Sequence, residues 1–140
     1  DPVTRQVTRT TTDRAPQEFP RIDERFFGQP YRHAWVVSQP GEAVSNFVAE
    51  NALFHYDMET GQKKTHHFGQ GLVGGEFIFV PESAAAKEAQ GWLMGLVIDM
   101  ENETTELQFF EALAIEKGPI GVIHLPHRVP PGFHGNWIPD

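Results

Sequence analysis

No cysteine occurs in the 140 residues. That excludes disulfides, thiolate catalysis and any zinc or iron–sulfur site built on sulfur, and it suits a reducing cytoplasm. A bound metal must then draw on histidine, carboxylate or water. Positive charge is also scarce: 11 Lys and Arg stand against 19 Asp and Glu, for a formal net charge of -8. A chain with that balance repels phosphate backbones, so nucleic acid is not expected as a partner. Long apolar runs are missing as well. None approaches the ~20 residues a helix needs to cross a bilayer, and no segment reads as a signal peptide or an amphipathic basic helix. A soluble chain is expected, with membrane contact unsupported by this segment. Helix signals are thin: only Ser83 to Gln90, rich in Ala, Glu and Lys, could form a turn or two, and it reads as a surface connection.

What is present is aromatic and rich in turn residues. Three Trp, eleven Phe and 39% apolar residues fit a folded chain, and 11 Pro with 13 Gly favour many short strands. The first residues, Val3 to Thr12, alternate in part and read as a strand, and the Asp1-Pro2 start reads as a start inside a larger protein. Gln17 to Asp23 reads as a short extended piece, and Tyr31 to Val37 as a buried strand ended by Pro40-Gly41. Ala52 to Asp57 and Lys63 to Phe68 read as a hairpin across Met58-Glu59-Thr60-Gly61. Adjacent His66 and His67 should point to opposite faces, so they do not share a metal and are expected on polar faces. Gly69 to Gly75 carries four glycines but leads into a strand rather than a helix, which argues against a phosphate loop. Glu76 to Val80, Trp92 to Ile98, Glu106 to Leu113 and Ile120 to Leu125 then form a meander of about fifty residues, the size of a propeller blade. Asp57-Met58-Glu59 recurs as Asp99-Met100-Glu101 in a different strand phase, so it is not counted as a repeat. A few such sheets are not stable alone, which points to a fragment of a larger propeller.

Pro130-Pro131-Gly132-Phe133-His134-Gly135-Asn136-Trp137 restricts one histidine between fixed backbone positions. A lone His beside apolar residues is more often structural than a ligand. His124 and His127 do not complete a local zinc cluster with His134, because Pro126 breaks the helix that would align them. Neither a His-Glu-x-x-His helix nor a Gly-x-Ser-x-Gly elbow is present. The economical arrangement places His134 at the start of an inner strand near a propeller axis, with ligands from other blades. Glu76, a charge at the start of an apolar strand, needs a partner, and it could accept a hydrogen bond from the ring nitrogen of His134 that faces away from metal.

Glu18-Phe19-Pro20-Arg21-Ile22, Tyr56-Asp57 with Thr60-Gly61, Gly74-Gly75-Glu76-Phe77-Ile78-Phe79-Val80-Pro81, Gly91-Trp92-Leu93 and Phe133-His134-Gly135-Asn136-Trp137, taken together and in this order, resemble the C-terminal part of the carotenoid oxygenases. The resemblance implies an all-β fold, the C-terminal blades of a seven-bladed β-propeller, with residues 1–140 as one part of a single propeller domain. It also implies an Fe(2+) ion on the axis, held by four His, and cleavage of an alkene by O2 into two carbonyl products. By position, His134 matches the last metal ligand, Glu76 the carboxylate that orients it, and Glu18 a second carboxylate whose His partner lies upstream. Phe77 stands where many members have Pro. No other iron ligand is matched, and the fragment alone is expected to be inactive. A carotenoid or apocarotenoid is the leading substrate class. The rivals are a stilbene-cleaving dioxygenase of the same family and a non-catalytic propeller that binds a partner without iron.

Overall fold

The structure is a computed structural model that describes residues 3–39 and 51–138; the expected break at Pro40-Gly41 lies outside them. Among the described residues, eight strands form two four-stranded antiparallel sheets, each a simple meander in chain order. The first sheet contains β1 (Gln17–Ile22), β2 (His33–Ser38), β3 (Ala52–Asp57) and β4 (Lys63–His67). The second contains β5 (Leu72–Pro81), β6 (Gly91–Asp99), β7 (Thr104–Glu111) and β8 (Gly121–Leu125). Two short 3-10 turns, Glu24–Phe26 and Ile115–Lys117, are the only helical elements among the described residues. Neither is long and apolar enough to cross a membrane.

Alternation explains the first sheet. Trp35, Val37 and Leu53 point toward the second sheet and join Phe77, Phe79, Leu93, Val97 and Phe110 in one core. The residues between them, Val36, Ala52, Phe54 and Tyr56, form a second core on the opposite face. With both faces covered, every residue of β3 is buried. The two sheets are keyed together by Trp35, which stacks on Phe79 at 5.3 Å and donates its indole N–H to the Ala112 carbonyl at 2.9 Å.

Several expectations need correction. Val3 to Thr12 forms no strand: its alternation is carried by Thr, Arg and Gln, which offer a sheet nothing to bury, and these residues are exposed. The first sheet is therefore completed by β1, not by the N-terminal residues. Ser83 to Gln90 forms turns rather than helix. Glu76 is not at a strand start, because β5 already begins at Leu72. His66 is not a polar-face residue: its ring packs edge-on against Phe110 at 4.8 Å and Phe68 at 5.3 Å, whereas His67 is exposed.

Both first strands carry a β-bulge. In β1, Phe19 and Pro20 face only Val36 between the pairs Glu18 with Val37 and Arg21 with Trp35. Pro20 has no N–H to give to the ladder, and Phe19 takes a positive φ of 56°. In β5, Gly75 and Glu76 face only Leu96 between the pairs Gly74 with Val97 and Phe77 with Gly95. Gly95, the glycine in the middle of β6, is explained by its partner across the ladder. A Cβ there would lie 2.7 Å from the Phe77 ring, which occupies the space. Gly95→Ala is therefore expected to destabilise the full-length protein by about 1–3 kcal/mol through overpacking. Denaturant titration checks this, and an unchanged midpoint would show that the ring yields freely.

Candidate metal-binding site

After β8 the chain leaves the sheet at Pro126, and among the described residues nothing beyond it is strand. His134 is thus not at the start of an inner strand. It lies on an irregular segment with no backbone ladder, and its position depends on side-chain contacts. Val129 N–H donates to Thr105 Oγ1 at 2.9 Å, which pins the segment's beginning to β7.

At the other end, the β5 bulge projects Glu76 into the segment. Its side chain is 6% exposed and both of its oxygens are engaged. Oε1 accepts from Arg21 Nε at 2.8 Å and lies 3.1 Å from His134 Nδ1, while Oε2 accepts from Gly135 N–H at 2.8 Å. Burial pushes the Glu76 carboxyl up. The Arg21 hydrogen bond, the Gly135 N–H and the His134 ring together outweigh that and hold it below its ordinary value. An ionised carboxylate is acceptor only, so Nδ1 of His134 is the donor in this contact, and in the neutral ring Nε2 is the nitrogen left with a lone pair. The His134 side chain is 74% exposed, so that nitrogen is open to a metal. Phe19 meets the ring edge-on at 5.9 Å, which gives the strained backbone of the β1 bulge a structural consequence at the site.

Neutral imidazole with its distal N–H on a carboxylate is the donor chemistry expected of a metal-ligating His. It is one ligand: among the described residues no group of three or more His, Asp or Glu converges on a metal position. The other expected residues are elsewhere. Glu18 is exposed beside the β1 bulge, and its side chain makes no hydrogen bond among the described residues. His124 is engaged by Glu106 Oε1 at 3.1 Å, and His127 is exposed. An open groove of about 350 Å³ runs beside His134, walled by Ile78, Met94, Leu96, Leu107 and Phe133.

Sequence reasoning missed three features. Arg21 was legible only as part of a motif, because its contact to Glu76 spans 55 residues. Asn51, buried, exchanges two 3.0 Å hydrogen bonds with the backbone of Gly74 and so ties the first sheet to β5 just before the bulge. His33 and His55 form a third cluster, with ring nitrogens 3.0 Å apart. Burial, then the neighbouring His33 and Lys64, lowers the His55 pKa to about 4. Strand alternation does place His33 with Trp35 and His55 with Leu53 on the same face, a signal that could have found the pair.

Comparison with known proteins follows the same lines. The family model described as retinal pigment epithelial membrane protein matches residues 1–139. A carotenoid cleavage oxygenase of Mycobacterium tuberculosis is 36% identical over 135 residues, covering 95% of this chain and 26% of that protein. Lignostilbene-alpha,beta-dioxygenase isozyme III of Sphingomonas paucimobilis is 35% identical over 127 residues, covering 86% of this chain and 26% of that protein. Among solved structures, cobalt-substituted Synechocystis ACO superposes with a TM-score of 0.86 at 27% identity, covering 99% of this chain and 28% of that one. The chain thus spans about a quarter of the length of the curated relatives it matches. Two successive antiparallel meanders, the site motifs on their bulges and a family match along nearly the whole chain lead to one conclusion: this chain is part of a β-propeller and belongs to the carotenoid oxygenase family.

Proposed function

We propose that this chain is the C-terminal part of a single propeller domain in an Fe(2+)-dependent dioxygenase that cleaves an alkene bond of a carotenoid or apocarotenoid. The observation that carries the reading is the His134–Glu76–Gly135 arrangement: a buried carboxylate engages one nitrogen of a largely exposed imidazole, so that in the neutral ring the other nitrogen is the one left to bind a metal. His134 is the ligand, Glu76 its orienting partner, and Glu18 a second such carboxylate for a His supplied upstream. When bound, the iron supplies the centre at which O2 and the alkene meet, with the C=C bond broken and one oxygen atom going to each carbonyl product. The chain's own residues do the rest. Glu76 holds the proton on Nδ1 and the plane of the ring, the Gly135 N–H fixes the carboxylate, and Ile78 and Leu96 give the groove beside His134 an apolar wall.

The apolar groove suits a polyene or a stilbenoid, and the two named relatives, one of each kind, are almost equally similar to this chain. The deciding experiment incubates iron-loaded full-length protein with O2 and either an apocarotenoid or a hydroxystilbene, then measures aldehyde products. Cleavage of the apocarotenoid is expected. Cleavage of the stilbene alone transfers the reading to that substrate class, and a full-length protein with neither iron nor turnover would make it a non-catalytic binding module. The 140 residues alone should be inactive, since one imidazole cannot hold iron against water. A cysteine-free chain also suits a cytoplasmic location, which cell fractionation checks.

A further inference from the structure

We propose that Arg21 is a positioning residue for the metal-binding imidazole, acting through Glu76 and through the backbone next to His134. The inference rests on the reading of His134 as an iron ligand. Its basis is that three nitrogens of one guanidinium reach three different groups around His134. Nε donates at 2.8 Å to Oε1 of Glu76, the same oxygen that meets the His134 ring. The second terminal nitrogen donates to the Gly135 carbonyl, one residue beyond the ligand. The first donates at 2.6 Å to Glu24 Oε1, whose other oxygen lies 3.3 Å from Asn136 Nδ2. Residues 134, 135 and 136 are therefore each tied to Arg21, directly or through one carboxylate.

The anchor is firm and what it holds is not. Arg21 leaves the β1 bulge on a paired strand, opposite Trp35 in the core, and its side chain is 16% exposed. His134 lies on a segment without a ladder. Glu76 alone could swing about its own side-chain torsions, but an oxygen shared between guanidinium and imidazole fixes the carboxylate from both sides. A lysine, with a single ammonium on a flexible stem, cannot replace a planar fork that serves three partners.

The test uses the full-length iron-loaded protein and follows transfer of Fe(2+) to an excess of a chromogenic chelator. Arg21→Ala is expected to speed iron loss about 10- to 100-fold, with millimolar guanidinium restoring much of the retention and Arg21→Lys falling between. Arg25→Ala is the comparator. Arg25 pairs with Asp23 and donates to the carbonyls of Ser83, Ala84 and Ala86, so its loss should lower the melting temperature and leave iron release unchanged. Wild-type iron retention in Arg21→Ala overturns the proposal. So does an Arg21→Ala defect that guanidinium leaves untouched and Arg25→Ala reproduces, since that marks a merely structural arginine. His134→Ala separates the two readings: if it keeps iron, the ligand assignment fails. If it loses iron while Arg21→Ala does not, only the role of Arg21 fails.

Discussion

On the proposed function, full-length protein carrying His134→Ala should lose its iron, from about one equivalent per chain to a trace, and with it the proposed alkene-cleaving activity. The argument is that the ring contributes a lone pair and little else. Its side chain is 74% exposed, so truncation leaves no cavity in either core. The contacts it gives up are one hydrogen bond to Glu76, an edge-on contact with Phe19 and a tilted one with the neighbouring Phe133. Glu76 keeps Arg21 and the Gly135 N–H as partners, so the carboxylate is not stranded. The melting temperature of the metal-free protein should therefore move little while iron content collapses. Metal analysis and thermal denaturation on the same sample measure both, and stoichiometric iron in the variant would remove His134 from the ligand set.

The strands were legible because turn residues and alternation agree on them. Ala52–Asp57 matches its expected range, and the four strands of the second sheet all appear, shifted by a few residues at their ends. What escaped is what depends on pairing. The bulge that projects Glu76 exists because two residues of β5 oppose one of β6, and nothing within Gly74-Gly75-Glu76 records the partner strand. Arg21 meets Gly135 across 114 residues. Val3 to Thr12 failed for the opposite reason: local alternation was present, but no apolar face stood behind it. The Asp-Met-Glu recurrence has a local cause. Asp57 and Asp99 both use Oδ1 to accept backbone N–H groups two and three residues on, closing the same kind of turn. Asp57 ends the third strand of its sheet and Asp99 the second, so one turn chemistry serves two positions in the meander.

Glu76→Gln should leave the protein folded and lower iron affinity about 10- to 100-fold, with turnover falling alongside. The amide matches the carboxylate in shape. Its oxygen can accept from Arg21 Nε and His134 Nδ1, but its NH2 group then faces the Gly135 N–H, donor against donor, where Oε2 now accepts at 2.8 Å. Flipping the amide removes that clash and creates another, with NH2 against Arg21 and the His134 N–H. Neither orientation satisfies all three donors, and an amide that can turn either its oxygen or its NH2 to the ring no longer enforces one tautomer. The same substitution should change the acid limb of stability. The folded carboxyl titrates below its ordinary value because Arg21, Gly135 and His134 together outweigh burial, so its stabilising contribution is complete at neutral pH and is lost as pH falls through the folded value. Gln does not titrate. The stability gap between wild type and variant should therefore be widest near neutrality and narrow on acidification. Denaturant unfolding of both proteins across that range measures the gap, and parallel curves together with equal iron affinity would show that the Glu76 charge holds nothing in place.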